Sequence, residues 1–126
     1  MKIVLAVVLS LLALLVSVAL YFSYTERQES HFETYQQLQA SELMANGWVP
    51  TFIPVSAYDI YEKHRVDEGR VEVKFRFARG DTAKIEASCT RQIGDDPRVT
   101  LYKCGHRNDR VSVRLSEDGK GEFSSE

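Results

Sequence analysis

The chain opens on an uninterrupted apolar run and alternates thereafter. Residues 3–22 carry no charge, and only Ser10 and Ser17 interrupt their apolar character. Wound as a helix at about 1.5 Å per residue, such a run reaches about 30 Å, the hydrocarbon thickness of a bilayer. It has no polar face to turn toward water, so lipid is the surrounding that suits every side of it. Lys2 and the terminal amine lie at one end and the mixed flank Glu26, Arg27 and Glu29 at the other, which predicts a cytoplasmic N-terminus and an exported remainder. Tyr21, Phe22 and Tyr24 stand where an interfacial aromatic belt forms. A secretory signal cleaved after Ala19 is the competing reading, because Ser17-Val18-Ala19 supplies small residues. The run continues through Leu20, Tyr21 and Phe22, past the roughly 7 to 15 residues of a signal core, and this favours a retained anchor.

Beyond the anchor, Ser30-His31-Phe32-Glu33 has the form of a capping box and predicts a helix start. Phe32, Tyr35, Leu38, Leu43 and Met44 give that helix an apolar stripe, and Asn46-Gly47 ends it. Pro50 and Pro54 make the following segment an extended connector, with Trp48 and Phe52 as buried anchors. The clearest strand is 70–77, with Val71, Val73, Phe75 and Phe77 on one face and Arg70, Glu72, Lys74 and Arg76 on the other. Residues 58–64 pair with it across Asp67-Glu68-Gly69 in a register that sets Lys63 against Glu72, Ile60 against Phe75 and Tyr58 against Phe77. Residues 57–64 also have a helical face, Ala57, Ile60, Tyr61 and His64; strand is the preferred reading. Three further strands are expected over 82–89, 99–104 and 110–115.

These elements divide the chain into an anchor over 1–25, a small extracytoplasmic domain over 26–116 and a frayed acidic tail over 117–126. The fold class expected is α+β: the membrane helix, one further helix, and an antiparallel sheet of four to six strands whose apolar face the second helix covers. The 104 residues after the apolar run, 23–126, suffice for one domain, and their net charge of −3 argues against nucleic acid as a partner.

The two cysteines, Cys89 and Cys104, lie symmetrically about Asp96-Pro97. A hairpin turning there sets them face to face, and export predicts a disulfide. The pair lacks the C-x-x-C spacing of a redox centre. His31, His64 and His106 lack the spacing of metal ligands, so no metal and no cofactor is expected. Ser56, Asp59 and His64 include the residue types of a nucleophilic triad, but no G-x-S-x-G turn presents the serine. Arg98, Lys103, Arg107, Arg110 and Arg114, with Asp109 as the single acid among them, form a possible surface for anionic headgroups or an acidic partner; strand alternation explains their exposure equally.

The segment Trp48-Val49-Pro50-Thr51-Phe52-Ile53-Pro54-Val55-Ser56-Ala57-Tyr58-Asp59-Ile60-Tyr61-Glu62-Lys63-His64-Arg65-Val66-Asp67, with Phe75-Arg76-Phe77, resembles a group of small, uncharacterised bacterial membrane-anchored proteins. They share a W-x-P-x-x-x-P-x-S-A-x-x-I-x-E-x-H-x-x-D pattern after an apolar helix. The resemblance covers about 30 residues and implies an envelope location without an assigned activity. Type IV pilins also place a β-rich domain after an apolar helix, but they have a glycine before it and a glutamate near its start, where this chain has Lys2 and no charge. The function expected is a non-enzymatic, membrane-anchored binding or assembly module with lipid around residues 3–22 and a protein partner in the envelope. A small envelope hydrolase or metal-dependent enzyme, and a membrane-tethered inhibitor or immunity protein, are the alternatives.

Overall fold

The computed structural model describes residues 1–107 and 109–126, with residues 25–27 described by their backbone course. The apolar run forms α1, Lys2–Glu26. Its stretch Lys2–Tyr24 is long and apolar enough to cross a membrane, with mean hydropathy 3.1 and no part buried in the protein. Ser10 and Ser17 direct their hydroxyls to the carbonyls of Ala6 and Ala13, which removes the polar cost of both within the helix.

The remainder is α+β, built on one antiparallel sheet of seven strands, one more than the largest number expected: β1 Arg27–Thr34, β2 Tyr58–Arg65, β3 Arg70–Arg76, β4 Cys89–Gln92, β5 Val99–His106, β6 Asp109–Ser116 and β7 Lys120–Ser125. Their order is β1-β2-β3-β7-β6-β5-β4. Two meanders are thus joined through the pairing of β3 with β7, and β1 and β4 form the edges. One sheet face is covered by α2 Tyr35–Ala40, α3 Glu42–Ala45, the proline-bounded connector and α4 Ala83–Ser88. Leu38, Val49, Ile53, Ile60, Val73 and Phe123 are almost fully buried between these layers. The other face carries the alternate, exposed positions of every strand.

Four expectations are corrected. The Ser30 capping box does not start a helix: residues 27–34 are edge strand β1, with His31 opposite Tyr61 and Phe32 opposite Ile60. The working cap lies one turn later, where the Thr34 hydroxyl accepts from Gln37 N–H at 3.3 Å and the Gln37 side-chain carbonyl accepts from Glu33 N–H at 2.9 Å. Residues 82–89 are not a strand. Ala83, Lys84, Glu86 and Ala87 are helix-compatible, and Ile85, the one large apolar residue of α4, is its buried position, so β4 begins only at Cys89. The tail expected to fray contains β7, a central strand with Phe123 1% exposed. Finally, residues 58–64 are strand and Lys63 does face Glu72, but the register shifts within the first residues of β2: Tyr58 faces Arg76 instead of Phe77. The extra residue lies in a bulge between Tyr58 and Tyr61, where Asp59 has φ +50°.

Candidate functional site

The bulge creates the most unusual arrangement on the bare sheet face. Asp59 is one of two described non-glycine residues with positive φ, a conformation that Asp tolerates better than most side chains. Its carboxylate lies 2.9 Å from His31 Nε2 and 3.8 Å from Arg76 Nε, and the His31 ring stacks on Tyr61 with centroids 4.2 Å apart. Tyr61 is 54% exposed. Beside it, Asp59, Tyr61, Arg76, Arg114, Lys120 and Glu122 border a shallow concavity of about 440 Å³.

Around this point the bare face is a lattice of alternating charge. Lys63 lies 3.5 Å from Glu29 and Lys74 lies 3.3 Å from Glu72, while Lys63 faces Glu72, Lys74 faces Glu122 and Glu122 faces Arg114. Lys103 pairs with Glu126. Such a surface resists indiscriminate sheet stacking and suits a partner with a complementary charge pattern.

The core face holds a second cluster on the same strand. Glu62 and His64 point inward from β2, and His64 Nδ1 lies 2.6 Å from Glu62 Oε1. Glu62 Oε2 is buried without a hydrogen-bond partner. Trp48 stacks on His64 with centroids 4.2 Å apart, and the Arg107 guanidinium lies 5.1 Å from the centroid of the Trp48 ring. Three residues that carry the sequence resemblance, Trp48, Glu62 and His64, therefore meet. His106 Nε2 is 2.7 Å from the Gly47 carbonyl, which only accepts, so this nitrogen carries a proton.

Burial holds the Glu62 carboxyl above its ordinary value, against the opposing pull of its hydrogen bond and attraction to His64. The folded state therefore binds this proton more tightly than the unfolded chain. The contribution to stability is complete below the ordinary carboxylate value of 4.5 and is lost as pH rises through the raised value. Glu62→Gln is neutral throughout and is expected to gain stability relative to the parent as pH rises to neutrality, by about 1.4 kcal/mol for each tenfold difference in proton affinity. Urea denaturation of both proteins across that pH range measures the difference.

The suggested triad is not assembled. Asp59 is paired with His31 and His64 with Glu62, while the Ser56 hydroxyl accepts from Ala78 N–H at 3.1 Å and Ser56 N–H donates to Asp81 at 3.1 Å. Among the described residues no group of three or more His, Cys, Asp and Glu is placed to hold a metal ion. The five basic residues do not form one surface. Lys103, Arg110 and Arg114 share the bare face, whereas Arg107 lies against Trp48 and Arg98 sits in the loop before β5. Sequence reasoning did not anticipate the His31–Asp59 pair, whose members are 28 positions apart. Ile60, Glu62 and His64 alternate inward without interruption, and only the exposed Tyr58 departs from that alternation, so the sequence of β2 carries no signal of the bulge.

Residues 26–76 match the family model described as the YbbD head domain, 51 of the 126 residues. The matched segment opens on the last residue of α1 and closes on the last residue of β3, so it corresponds to the first three-strand meander with its helical cover. It contains His31, Asp59, Tyr61 and Arg76 of the first cluster and Trp48, Glu62 and His64 of the second, while Arg107 lies outside it. Neither the comparison with curated proteins nor that with solved structures returns a match.

Proposed function

We propose that this protein is a non-enzymatic binding or assembly module of the bacterial cell envelope, anchored by α1 with its folded head outside the cytoplasmic membrane. The observation that carries the reading is the direct passage of α1 into edge strand β1, with no residue between Glu26 and Arg27, which makes anchor and sheet one continuous unit. Lys2 at the other end of the helix favours the outward orientation, and a cross-strand disulfide suits an oxidising compartment. The match to a head domain supports the same reading, since the matched segment begins where the anchor ends. The bare face around Tyr61 and Asp59 offers the partner a charged surface in fixed register.

Cross-linking in membranes at native expression, followed by purification, is expected to enrich one or a few envelope proteins over a control carrying residues 1–26 alone. The double substitution Tyr61→Ala with Arg76→Ala is expected to abolish that enrichment while leaving the anchor in place. Equal recovery with the anchor-only control sinks the proposal.

A further inference from the structure

The continuity of α1 with β1 also determines which end of the sheet lies nearest the lipid. The apolar run ends at Phe22, and the helix continues only four residues, about 6 Å at 1.5 Å per residue, before β1 begins. A headgroup layer is itself roughly 5 to 7 Å deep on each side of the hydrocarbon. Strand β1 therefore starts at the outer boundary of that layer, with no spacer to lift the sheet away.

Antiparallel pairing places specific residues at this end. The first residue of β1 faces Arg65, and Arg65 faces Arg70, so the turn of residues 66–69 projects past the start of β1. Its tip exposes Val66, 56% accessible, while Arg65 pairs with Asp67 and Glu68, and Arg70 with Glu68, leaving the tip's charges mutually compensated. The junction of β5 and β6 reaches the same end and presents Arg107, exposed and lying on the ring of the half-buried Trp48. An apolar tip beside an arginine on a tryptophan suits the boundary between headgroups and water, where such side chains rest their apolar bodies inward and their polar ends on phosphate. The opposite end carries the loop of residues 93–98 and is about 26 Å away along an eight-residue strand.

We propose that this end of the sheet, with Val66, Trp48 and Arg107, docks into the phospholipid headgroup layer of the same bilayer that α1 crosses, so that the head stands on the membrane with its bare face upright. The inference rests on α1 being a membrane anchor.

Trp48 is the protein's single tryptophan and serves as the probe. The full chain is reconstituted into phosphatidylcholine and phosphatidylglycerol vesicles containing a headgroup spin-labelled lipid, and vesicle flotation is measured in parallel. Trp48 emission is expected to fall at least about twofold, while the W48F/I93W variant, with its probe in the far loop, shows little loss. Val66→Asp combined with Arg107→Glu is expected to restore much of the Trp48 emission without changing flotation. Flotation with Trp48 quenched no more than the far-loop probe overturns the docking and leaves the anchor intact. Failure to float overturns both.

Discussion

Gly121→Val is expected to lower the stability of the head by about 3 kcal/mol or more, a fall of roughly 10 °C or more in Tm for a domain of this size. Gly121 lies in β7 between Phe75 of β3 and Leu115 of β6. A Cβ at this position lies 2.4 Å from both Cε2 and Cζ of Phe75. The Phe75 ring is 3% exposed and packs against Phe77 at a centroid distance of 5.9 Å, so displacement costs it the core contacts it now makes. Overpacking alone accounts for about 1 to 3 kcal/mol, and partial loss of a buried phenylalanine adds to it. Thermal unfolding of the full chain in detergent measures the loss. Shortening the obstructing ring tests its cause: Phe75→Leu in the Gly121→Ala background is expected to cost less than the two single substitutions summed. Strict additivity is the contrary result.

The same contact explains why β7 was hidden in the sequence. Its inward positions are Gly121, Phe123 and Ser125, and only one of them is a large apolar residue. The close approach of Phe75 demands the glycine, and the Ser125 hydroxyl accepts from Val71 N–H at 2.9 Å, so two of three inward places carry no hydrophobic signal. Strand β3 was legible because all its inward positions are apolar, and β6 for the same reason. Edge strand β1 carries a helix-start signal because two capping boxes follow one another, Ser30 to Glu33 and Thr34 to Gln37, and only pairing with β2 decides between them. The candidate site was the least legible part. It depends on a one-residue bulge that rotates Asp59 toward His31, and local sequence does not encode which residue of an alternating strand will be left over. By contrast, the N-terminal apolar helix and the facing cysteines follow from composition and symmetry alone.

Replacing Cys89 and Cys104 by serine is expected to cost about 3 kcal/mol, the chain-entropy value for a closed loop of this length. That is a large share of the roughly 5 to 15 kcal/mol available to a small domain. The disulfide joins residues directly opposite one another across β4 and β5, with Cα atoms 4.4 Å apart and a separation of 15 positions in the chain. Strand β4 is only four residues long, lies at the edge and has mostly exposed side chains, so little else holds it. Cys104 is 5% exposed within the core, whereas Cys89 packs at its margin. Loss should therefore start at β4 and the loop bearing the fully exposed Ile93, leaving the β1-β2-β3 meander until last. Urea denaturation with and without reductant is expected to show the loss, and limited proteolysis is expected to cut first within residues 93–98. The same thiols report on orientation. In membranes isolated without reductant, an oxidising exterior leaves both cysteines closed to alkylation. Full modification of both in a folded protein would place the head in a reducing compartment and overturn the outward orientation, while the pairing of β4 with β5 would stand on its own hydrogen bonds.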